Sequence, residues 1–195
     1  MQIGKDYQRK AEAKYDIVYQ DMRYYEVSCG LDHAPHVAAA IKFKSVLDVG
    51  CGPAYALTYF LKEGKEVMGV EVCKYLYENM LRPFVVNNLI VPGRIQELPF
   101  EAESYDLVYC TEVLEHIPEP DCALAVSELV RVAKKYVYLT VATVPAMFRP
   151  DLGLHETVKP KGWWDNIINR YRLKEVTSLK AREAQHGFAK LYKKY

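Results

Sequence analysis

The most restrictive feature of the sequence is an alternation of strand-like and helix-like segments that begins near residue 45. Short apolar runs rich in β-branched residues are typical of buried strands, and the longer stretches between them have helical periodicity. The predicted strands are 45–49, 66–70, 88–95, 105–110 and 136–142, and the helices between them are 54–62, 75–84 and 121–132. This order favours an α/β fold with a doubly wound, mostly parallel sheet that has helices on both faces.

Further segments lie on either side of this alternating region. Residues 5–26 are predicted to form a helix, and its tyrosines either pack against the domain or contact a ligand, with Tyr15, Tyr19 and Tyr24 as the candidates for contact. A helix over 163–171 and a C-terminal antiparallel hairpin over 173–179 and 188–192 are predicted near the end of the chain. The hairpin supplies the last two strands, so we expect one domain with a seven-stranded sheet.

The composition argues against several classes of protein. No apolar run approaches the roughly 20 residues of a membrane-spanning helix, and the polar start MQIGKDYQRKAEAK lacks signal-peptide character, so we expect a cytoplasmic protein without a membrane span. The five cysteines form no pair with the spacing of a zinc site, so no metal is expected. Residues 159–195 contain ten basic and three acidic side chains, which fits either a solvated surface or contact with a polyanion.

Two glycines in the stretch VLDVGCGPAYAL predict a tight turn directly after the first strand. Gly50 and Gly52 follow Asp48 at the carboxyl end of strand 45–49 and precede helix 54–62. Doubly wound sheets bind ligands at this place, because strand ends and helix N-termini meet there. The glycines let the backbone turn and let a ligand lie against exposed N–H groups.

The details of this turn favour a nucleoside-like ligand without a diphosphate. A dinucleotide site has a third glycine for close helix packing, whereas Tyr55 occupies that position here. The sequence contains no Gly-Lys-Ser or Gly-Lys-Thr phosphate loop. Glu71 ends the second strand, about 20 residues downstream, where an acidic side chain accepts hydrogen bonds from a ribose diol.

Four stretches in this order carry a family resemblance. VLDVGCGPA, GVEV, RIQELPFEAESYDLVYCTEVLEHI and YVYLTV resemble the class I S-adenosylmethionine-dependent methyltransferases, which have a Rossmann-like fold. The resemblance implies S-adenosylmethionine as the cofactor, S-adenosylhomocysteine as its product, and chemistry that requires no metal. It also implies the cofactor contacts: Asp48, Gly50, Cys51 and Gly52 at the methionine portion, Glu71 at the ribose, Val72, Ile95 and Gln96 at the adenine, and Cys110 and Thr111 through backbone carbonyls.

The same resemblance implies that successive segments of the chain have different roles. We expect one methyltransferase domain over 1–195, with an N-terminal helical cap (1–44), a cofactor-binding core (45–142), a substrate-side loop (143–164) and a terminal helix with the hairpin (165–195). In-line displacement of the methyl group depends mainly on orientation of the acceptor. Where the acceptor is a hydroxyl, a base helps to remove its proton. The candidates are Glu112, His116 and His155, each of which also has a purely structural explanation.

Arg94 departs from the family pattern. It lies where the family usually has an Asp that accepts a hydrogen bond from the adenine amino group, and a guanidinium has no acceptor. Either backbone groups of Ile95 and Gln96 contact the adenine, which we favour, or Glu97 replaces the missing acid.

These residues do not identify the methyl acceptor. We expect transfer to an O, N or C atom of a small or medium-sized molecule, because no separate recognition domain is left over. Two alternatives stay open. One is an RNA methyltransferase that uses the basic C-terminal segment, and the other is a protein that binds S-adenosylmethionine without transferring its methyl group.

Overall fold

One mixed sheet of seven strands organises the part of the chain that the structure describes. The structure is a computed structural model that describes residues 13–21, 29–177 and 187–195. The strands are β1 (Ser45–Val49), β2 (Glu66–Glu71), β3 (Ile90–Pro92), β4 (Tyr105–Thr111), β5 (Ala133–Ala142), β6 (Leu173–Glu175) and β7 (Gly187–Lys194). Their order across the sheet is β3-β2-β1-β4-β5-β7-β6.

The strand directions confirm the predicted topology. Strands β1 to β5 are parallel to one another, whereas β7 is antiparallel to both of its neighbours, β5 and β6. The chain passes from β1 through β2 to β3 and then returns to the other side of β1 as β4. Strand order therefore reverses beside β1, and a crevice forms at the carboxyl ends of strands at such a reversal.

Helices cover both faces of the sheet. They are α1 (Cys29–Ala40), α2 (Tyr55–Lys62), α3 (Lys74–Asn79), α4 (Arg82–Val86), α5 (Cys122–Val132) and α6 (Lys161–Ile168), and residues 13–18 are also helical. Leu47 and Val49 of β1 belong to the same buried cluster as Leu129 of α5, whereas Val46 belongs to a second cluster with Leu57 of α2. Strand β1 is therefore buried on both sides, as its continuous apolar sequence predicts.

Several elements differ from the sequence-based expectation. The predicted helix 75–84 is two short helices, α3 and α4, because Pro83 lacks an N–H group and is tolerated only in the first turn of a new helix. The predicted strand 88–95 is shortened to β3, which pairs only with the last residues of β2. Helix α1 is missed by the sequence pattern, in which Pro35 interrupts the helical periodicity.

Parts of two predicted elements lie outside the described residues. Of the predicted helix 5–26, residues 13–18 are helical, while residues 1–12 and 22–28, with Tyr24, are not described. Residues 178–186, which include the end of the predicted strand 173–179, are not described either. Within the described ranges, no helix combines the length and the hydropathy that crossing a bilayer requires.

Polar contacts hold the segment 13–21 across the carboxyl edge of the sheet. The Nζ atom of Lys14 donates a hydrogen bond to Oε1 of Glu156 at 2.8 Å, in the loop after β5. The Oδ1 atom of Asp16 accepts a hydrogen bond from the amide of Tyr75 at 2.9 Å, at the start of α3. The segment therefore connects two loops that lie on opposite sides of β1.

Candidate functional site

A cleft opens at the carboxyl ends of the central strands, where the strand order reverses. It contains about 770 Å³ of space, including its open mouth. Its walls come from the turns after β1 and β4, the end of β2, the stretch after β3 and the segment 13–21. The lining residues are Tyr15, Tyr19, Val49, Gly50, Val70, Glu71, Val72, Gly93, Arg94, Ile95, Gln96, Glu112, Val113, His116 and Ile117.

The glycine turn after β1 forms one wall of the cleft. Gly50 and Gly52 have φ angles of 71° and 50°, in the left-handed region that glycine adopts without strain. Gly50 also packs closely, because a Cβ atom there would lie 2.5 Å from Cγ2 of Val113. Both the backbone conformation and the packing therefore require glycine at position 50.

The amides of this turn are hydrogen-bonded within the protein. The N–H groups of Gly50 and Cys51 both donate to the carbonyl of Val70, at 2.8 and 3.1 Å. The N–H group of Gly52 donates to Oε2 of Glu71 at 2.8 Å. The expectation that a ligand lies against exposed N–H groups is therefore wrong for these three amides. The turn instead offers a ligand close approach to a backbone without side chains.

Glu71 is fixed at the end of β2 and faces the cleft. Besides the bond from Gly52 to Oε2, its Oε1 accepts hydrogen bonds from the amides of Val72 and Cys73, at 2.8 and 2.9 Å. An ionised carboxylate has about four acceptor positions, so these three bonds leave one for a ligand hydroxyl. Burial raises the pKa of Glu71, although the three amides act in the opposite direction.

Asp48 lies on β1 behind the turn and is almost completely buried. Burial, and then the charge of Glu71, raises the pKa of Asp48 to about 8. A positively charged ligand group nearby would favour the ionised form of this carboxyl. Burial also raises the pKa values of the Cys51 and Cys110 thiols, so neither has the thiolate character of a nucleophile.

The stretch after β3 forms another wall. Arg94, Ile95 and Gln96 all line the cleft. The guanidinium of Arg94 donates a hydrogen bond to Oε2 of Glu97 at 2.6 Å. The side chain of Glu97 is 75% exposed, and Glu97 is not among the lining residues. Glu97, the alternative to the Asp that the family usually has at position 94, is therefore paired with Arg94 outside the cleft.

The turn after β4 brings Glu112 and His116 into the lining of the cleft. Glu112 has a φ angle of 54°, and its Oε1 accepts a hydrogen bond from the hydroxyl of Thr140 at 2.7 Å. The ring of His116 meets the ring of Tyr15 at a centroid distance of 5.7 Å and the ring of His155 at 4.9 Å. The three candidate bases thus lie in one region, with His155 behind His116.

Backbone carbonyls orient both histidines. Nδ1 of His116 donates to the carbonyl of Leu154 at 2.8 Å, and Nδ1 of His155 donates to the carbonyl of Val144 at 2.6 Å. Because a carbonyl only accepts, Nδ1 carries the hydrogen in each neutral ring and Nε2 carries the lone pair. Burial, and then the neighbouring His155, lowers the pKa of His116 to about 4. The His116 ring is therefore neutral near pH 7.

Glu115 lies beside these histidines and is missed by the sequence analysis. Its side chain is completely buried; Oε1 accepts a hydrogen bond from the amide of Ala142 at 3.2 Å, and Oε2 has no hydrogen-bond partner in the described part of the chain. Burial, and then the charge of Glu112, raises the pKa of Glu115 well above its usual value. The spacing of Glu112, Glu115 and His116 directly after a strand end is the signal in the sequence that could have identified it.

The structure brings about half of the predicted site residues into the lining of one cleft. These are Gly50, Glu71, Val72, Ile95, Gln96, Glu112 and His116. The other predicted residues, which do not line the cleft, are Asp48, Cys51, Gly52, Cys110, Thr111 and His155. Three of these contact lining residues: Gly52 through Glu71, Cys51 through Val70 and His155 through His116.

Residues 47–141 match a protein-family model described as a methyltransferase domain. The chain is 34% identical over 110 residues to the ubiquinone biosynthesis O-methyltransferase of Hahella chejuensis. The matched region covers 54% of this chain and 45% of the relative. It is 27% identical over 155 residues to the protein of the same name from Psychrobacter arcticus, with 68% and 60% covered. The chain thus spans about half the length of these curated relatives.

Two solved structures are similar over most of the chain. One is the 1,6-didemethyltoxoflavin-N1-methyltransferase of Burkholderia thailandensis, with bound 1,6-didemethyltoxoflavin and S-adenosylhomocysteine; its TM-score is 0.70 at 15% identity, over 97% of this chain and 89% of that chain. The other is the PH0226 protein of Pyrococcus horikoshii, with a TM-score of 0.68 at 14% identity, over 84% and 88%. At these identities, the likeness establishes the fold.

Proposed function

We propose that this chain is a class I S-adenosylmethionine-dependent methyltransferase, as the match of residues 47–141 to a methyltransferase domain supports, and that it binds S-adenosylmethionine in the cleft and transfers the methyl group to a hydroxyl of a small molecule. The observation that supports this most is the carboxylate of Glu71. Three amides hold it at the cleft wall, next to a turn without side chains, and it retains an acceptor position. This arrangement fits the ribose hydroxyls of a nucleoside.

The remaining walls fit the other parts of the cofactor. In this proposal, the methionine portion lies over the main chain at Gly50, with Asp48 and the loop residues Cys51 and Gly52 around it and the carbonyls of Cys110 and Thr111 at its amino end. The adenine lies beside Val72 and contacts backbone groups of Ile95 and Gln96. The ion pair of Arg94 with the exposed Glu97 supports this choice, because it keeps that carboxylate outside the cleft.

When bound, S-adenosylmethionine supplies a methyl group on a sulfonium, which is a good leaving group. The residues of this chain then have to exclude water and hold the acceptor atom in line with the methyl group. Tyr15 and Tyr19 of segment 13–21 line the cleft, so they cover the bound molecules. The buried acids Asp48 and Glu71 favour a ligand with positive charge.

Glu112, His116 and His155 mark the acceptor end in this proposal. His155 belongs to residues 143–164, the proposed substrate-side loop of a single methyltransferase domain. The names of the two O-methyltransferase relatives support a hydroxyl on a small molecule as the acceptor. With its pKa lowered to about 4, His116 is a weak base, so its role is to orient the acceptor rather than to hold its proton.

The basic C-terminal segment does not add support for RNA as the substrate. Lys190 forms an ion pair with Glu175. The Nζ atom of Lys194 donates hydrogen bonds to the carbonyls of Val130 and Ala133, at 3.0 and 2.9 Å. These lysines stabilise the fold around β7, so a small-molecule acceptor is the better proposal.

The proposal includes a cytoplasmic location. Cys51, Cys73, Cys110 and Cys122 are buried free thiols. Unpaired cysteines are more frequent in reducing compartments than in secreted proteins.

Two measurements on the full chain test the proposal. Titration calorimetry with S-adenosylhomocysteine should give saturable heat. Incubation with S-adenosylmethionine and a panel of small phenols and catechols should release S-adenosylhomocysteine with at least one of them. The absence of heat with both the cofactor and its product would overturn the proposal. Binding without turnover of any phenol, catechol, amine or thiol tested would overturn methyl transfer and identify a cofactor-binding protein.

A further inference from the structure

Glu115, His116 and His155 form a cluster at the acceptor end of the cleft. A carboxylate oxygen of Glu115 and one ring nitrogen from each histidine all lie within 4.8 Å of one another. Atoms bound to one ion at about 2.1 Å lie roughly 3 to 4 Å apart, so small side-chain movements bring all three onto one ion. We propose that these three residues bind a divalent transition-metal ion such as Mn²⁺. The metal site itself does not depend on the proposed function, whereas the role of the ion toward the acceptor rests on it.

The hydrogen bonds of the two histidines are those of metal ligands. Each ring donates its Nδ1–H to a backbone carbonyl, that of Leu154 for His116 and that of Val144 for His155. In metal sites, this second bond fixes the ring and directs the lone pair of the other nitrogen toward the ion. Each ring is thus held by the same kind of hydrogen bond, although the two residues come from separate loops.

The buried carboxyl of Glu115 supplies an independent reason for an ion. Its side chain is completely buried, and Oε2 has no hydrogen-bond partner among the residues that the structure describes. A buried polar atom without a partner is unfavourable by about 1 to 3 kcal/mol. A divalent cation would supply the missing partner of Oε2.

The donor set favours transition metals over Mg²⁺ or Ca²⁺. Imidazole nitrogen is a good ligand for Fe²⁺ and Zn²⁺ and a carboxylate oxygen for Mn²⁺, whereas Mg²⁺ and Ca²⁺ prefer oxygen ligands alone. Two histidines and one carboxylate leave further coordination positions open. Of the three residues, His116 lines the cleft, so the cluster lies next to the space assigned to the acceptor.

An ion at this place would activate a hydroxyl acceptor. The acceptor oxygen binds the ion, which lowers the pKa of the hydroxyl, and the proton leaves to Glu112 or to water. The oxygen lone pair then forms the new C–O bond, while the C–S bond breaks and its electron pair stays on sulfur.

The test measures Mn²⁺ binding directly and does not depend on turnover. The full chain is stripped with EDTA and titrated with MnCl₂ while electron paramagnetic resonance follows the free ion. We expect one Mn²⁺ per chain, at least tenfold weaker binding in Glu115→Gln and His155→Asn, and unchanged binding in His36→Asn, which alters an exposed histidine of α1. Zn²⁺ should displace Mn²⁺, whereas an equal concentration of Mg²⁺ should not.

Calorimetry with S-adenosylhomocysteine on the same preparations separates the two proposals. Retained cofactor binding in Glu115→Gln and His155→Asn shows that both variants are folded. The absence of saturable Mn²⁺ binding, or equal binding in these variants and in His36→Asn, overturns the metal site but leaves the methyltransferase proposal intact. Displacement by Mg²⁺ as efficiently as by Zn²⁺ overturns the choice of a transition metal. Loss of cofactor binding in the wild-type chain would instead count against the proposed function.

Discussion

The imidazole rings of His116 and His155 lie edge to face, with their centroids 4.9 Å apart. The contact depends on backbone bonds between two loops, because the amides of Glu156 and Thr157 both donate to the carbonyl of Glu115, at 2.8 and 2.9 Å. The loop after β5 is therefore attached to the turn after β4 directly beside the histidine pair. The position of His155 is set by the same bonds that fix the acceptor end of the cleft.

Replacement of Glu71 by Gln should weaken binding of S-adenosylhomocysteine at least tenfold. The side-chain amide cannot accept all the bonds that the carboxylate accepts, and a hydrogen bond to a charged group contributes about 1.5 to 3 kcal/mol. Titration calorimetry measures the change. Glu66→Gln is the matched control, because Glu66 is an exposed residue at the other end of β2. Equal affinities of the two variants would contradict the role of Glu71.

Replacement of Gly50 by Ala should destabilise the protein far more than the same change at Gly64. The two glycines have almost the same φ angles, 71° and 70°, so each change introduces about 1 to 2 kcal/mol of backbone strain. Only at Gly50 would the new Cβ atom collide with Val113, whereas at Gly64 no atom lies within 4 Å. Urea unfolding compares the two variants, and Gly50→Ala combined with Val113→Ala should recover part of the loss. Equal losses in the two single variants would show that packing at Gly50 is unimportant.

The free energy of unfolding should fall as the pH rises from 6.5 to 8, and Asp48 should account for part of the fall. Its pKa is about 8 in the folded chain, above the ordinary value of 3.8. In this window the folded state therefore holds a proton that the unfolded state has lost, which lowers stability by at most about 1.4 kcal/mol per pH unit. His116 has a lowered pKa, so its titration makes the free energy of unfolding rise with pH. That rise occurs below pH 6.5.

Urea unfolding of the ligand-free wild-type chain and of Asp48→Asn at several pH values measures this effect. The asparagine variant should have a shallower pH dependence between pH 6.5 and 8, because the other titrating groups are common to both proteins. Parallel curves would show that the carboxyl of Asp48 is already ionised in the folded chain.

Replacement of Asp16 by Ala should loosen segment 13–21 and weaken cofactor binding several-fold. Asp16 accepts the hydrogen bond from the amide of Tyr75 that attaches the segment to α3, and Tyr19 of the same segment lines the cleft. Hydrogen–deuterium exchange should increase over residues 13–21, and calorimetry with S-adenosylhomocysteine should report the loss of affinity. Gln20→Ala, a change at an exposed position of the segment, should alter neither measurement. Unchanged exchange in Asp16→Ala would contradict the attachment.

The order of elements and the place of the cleft could be predicted from the sequence. Strand β1 is apolar throughout because both of its faces are buried, and Gly50 and Gly52 follow it because the backbone there turns with positive φ angles. Such features are local, so they are visible in a few consecutive residues. Helix α1 is the exception, since its helical pattern contains Pro35 and its formation depends on packing against α2.

The contacts of the site could not be predicted in the same way. The amides of Gly50 and Cys51 donate hydrogen bonds to the carbonyl of Val70 on the neighbouring strand. These bonds depend on the register of β1 with β2. The role of Glu115 depends on its burial, which results from the packing of the loop that contains His155. Neither the register nor that burial is encoded in a short stretch of sequence.

The position of β7 constrains the order in which the chain folds. It lies between β5 and β6, although it follows β6 along the chain. In the described sheet, β6 is hydrogen-bonded only to β7, so β6 cannot join before β7 has paired with β5. During synthesis, the edge of β5 therefore stays open until residues 187–194 have left the ribosome. An open strand edge can pair with other chains and aggregate. In nascent chains of this protein, the edge of β5 should therefore need protection for longer than it would in a protein whose strands join the sheet in sequence order.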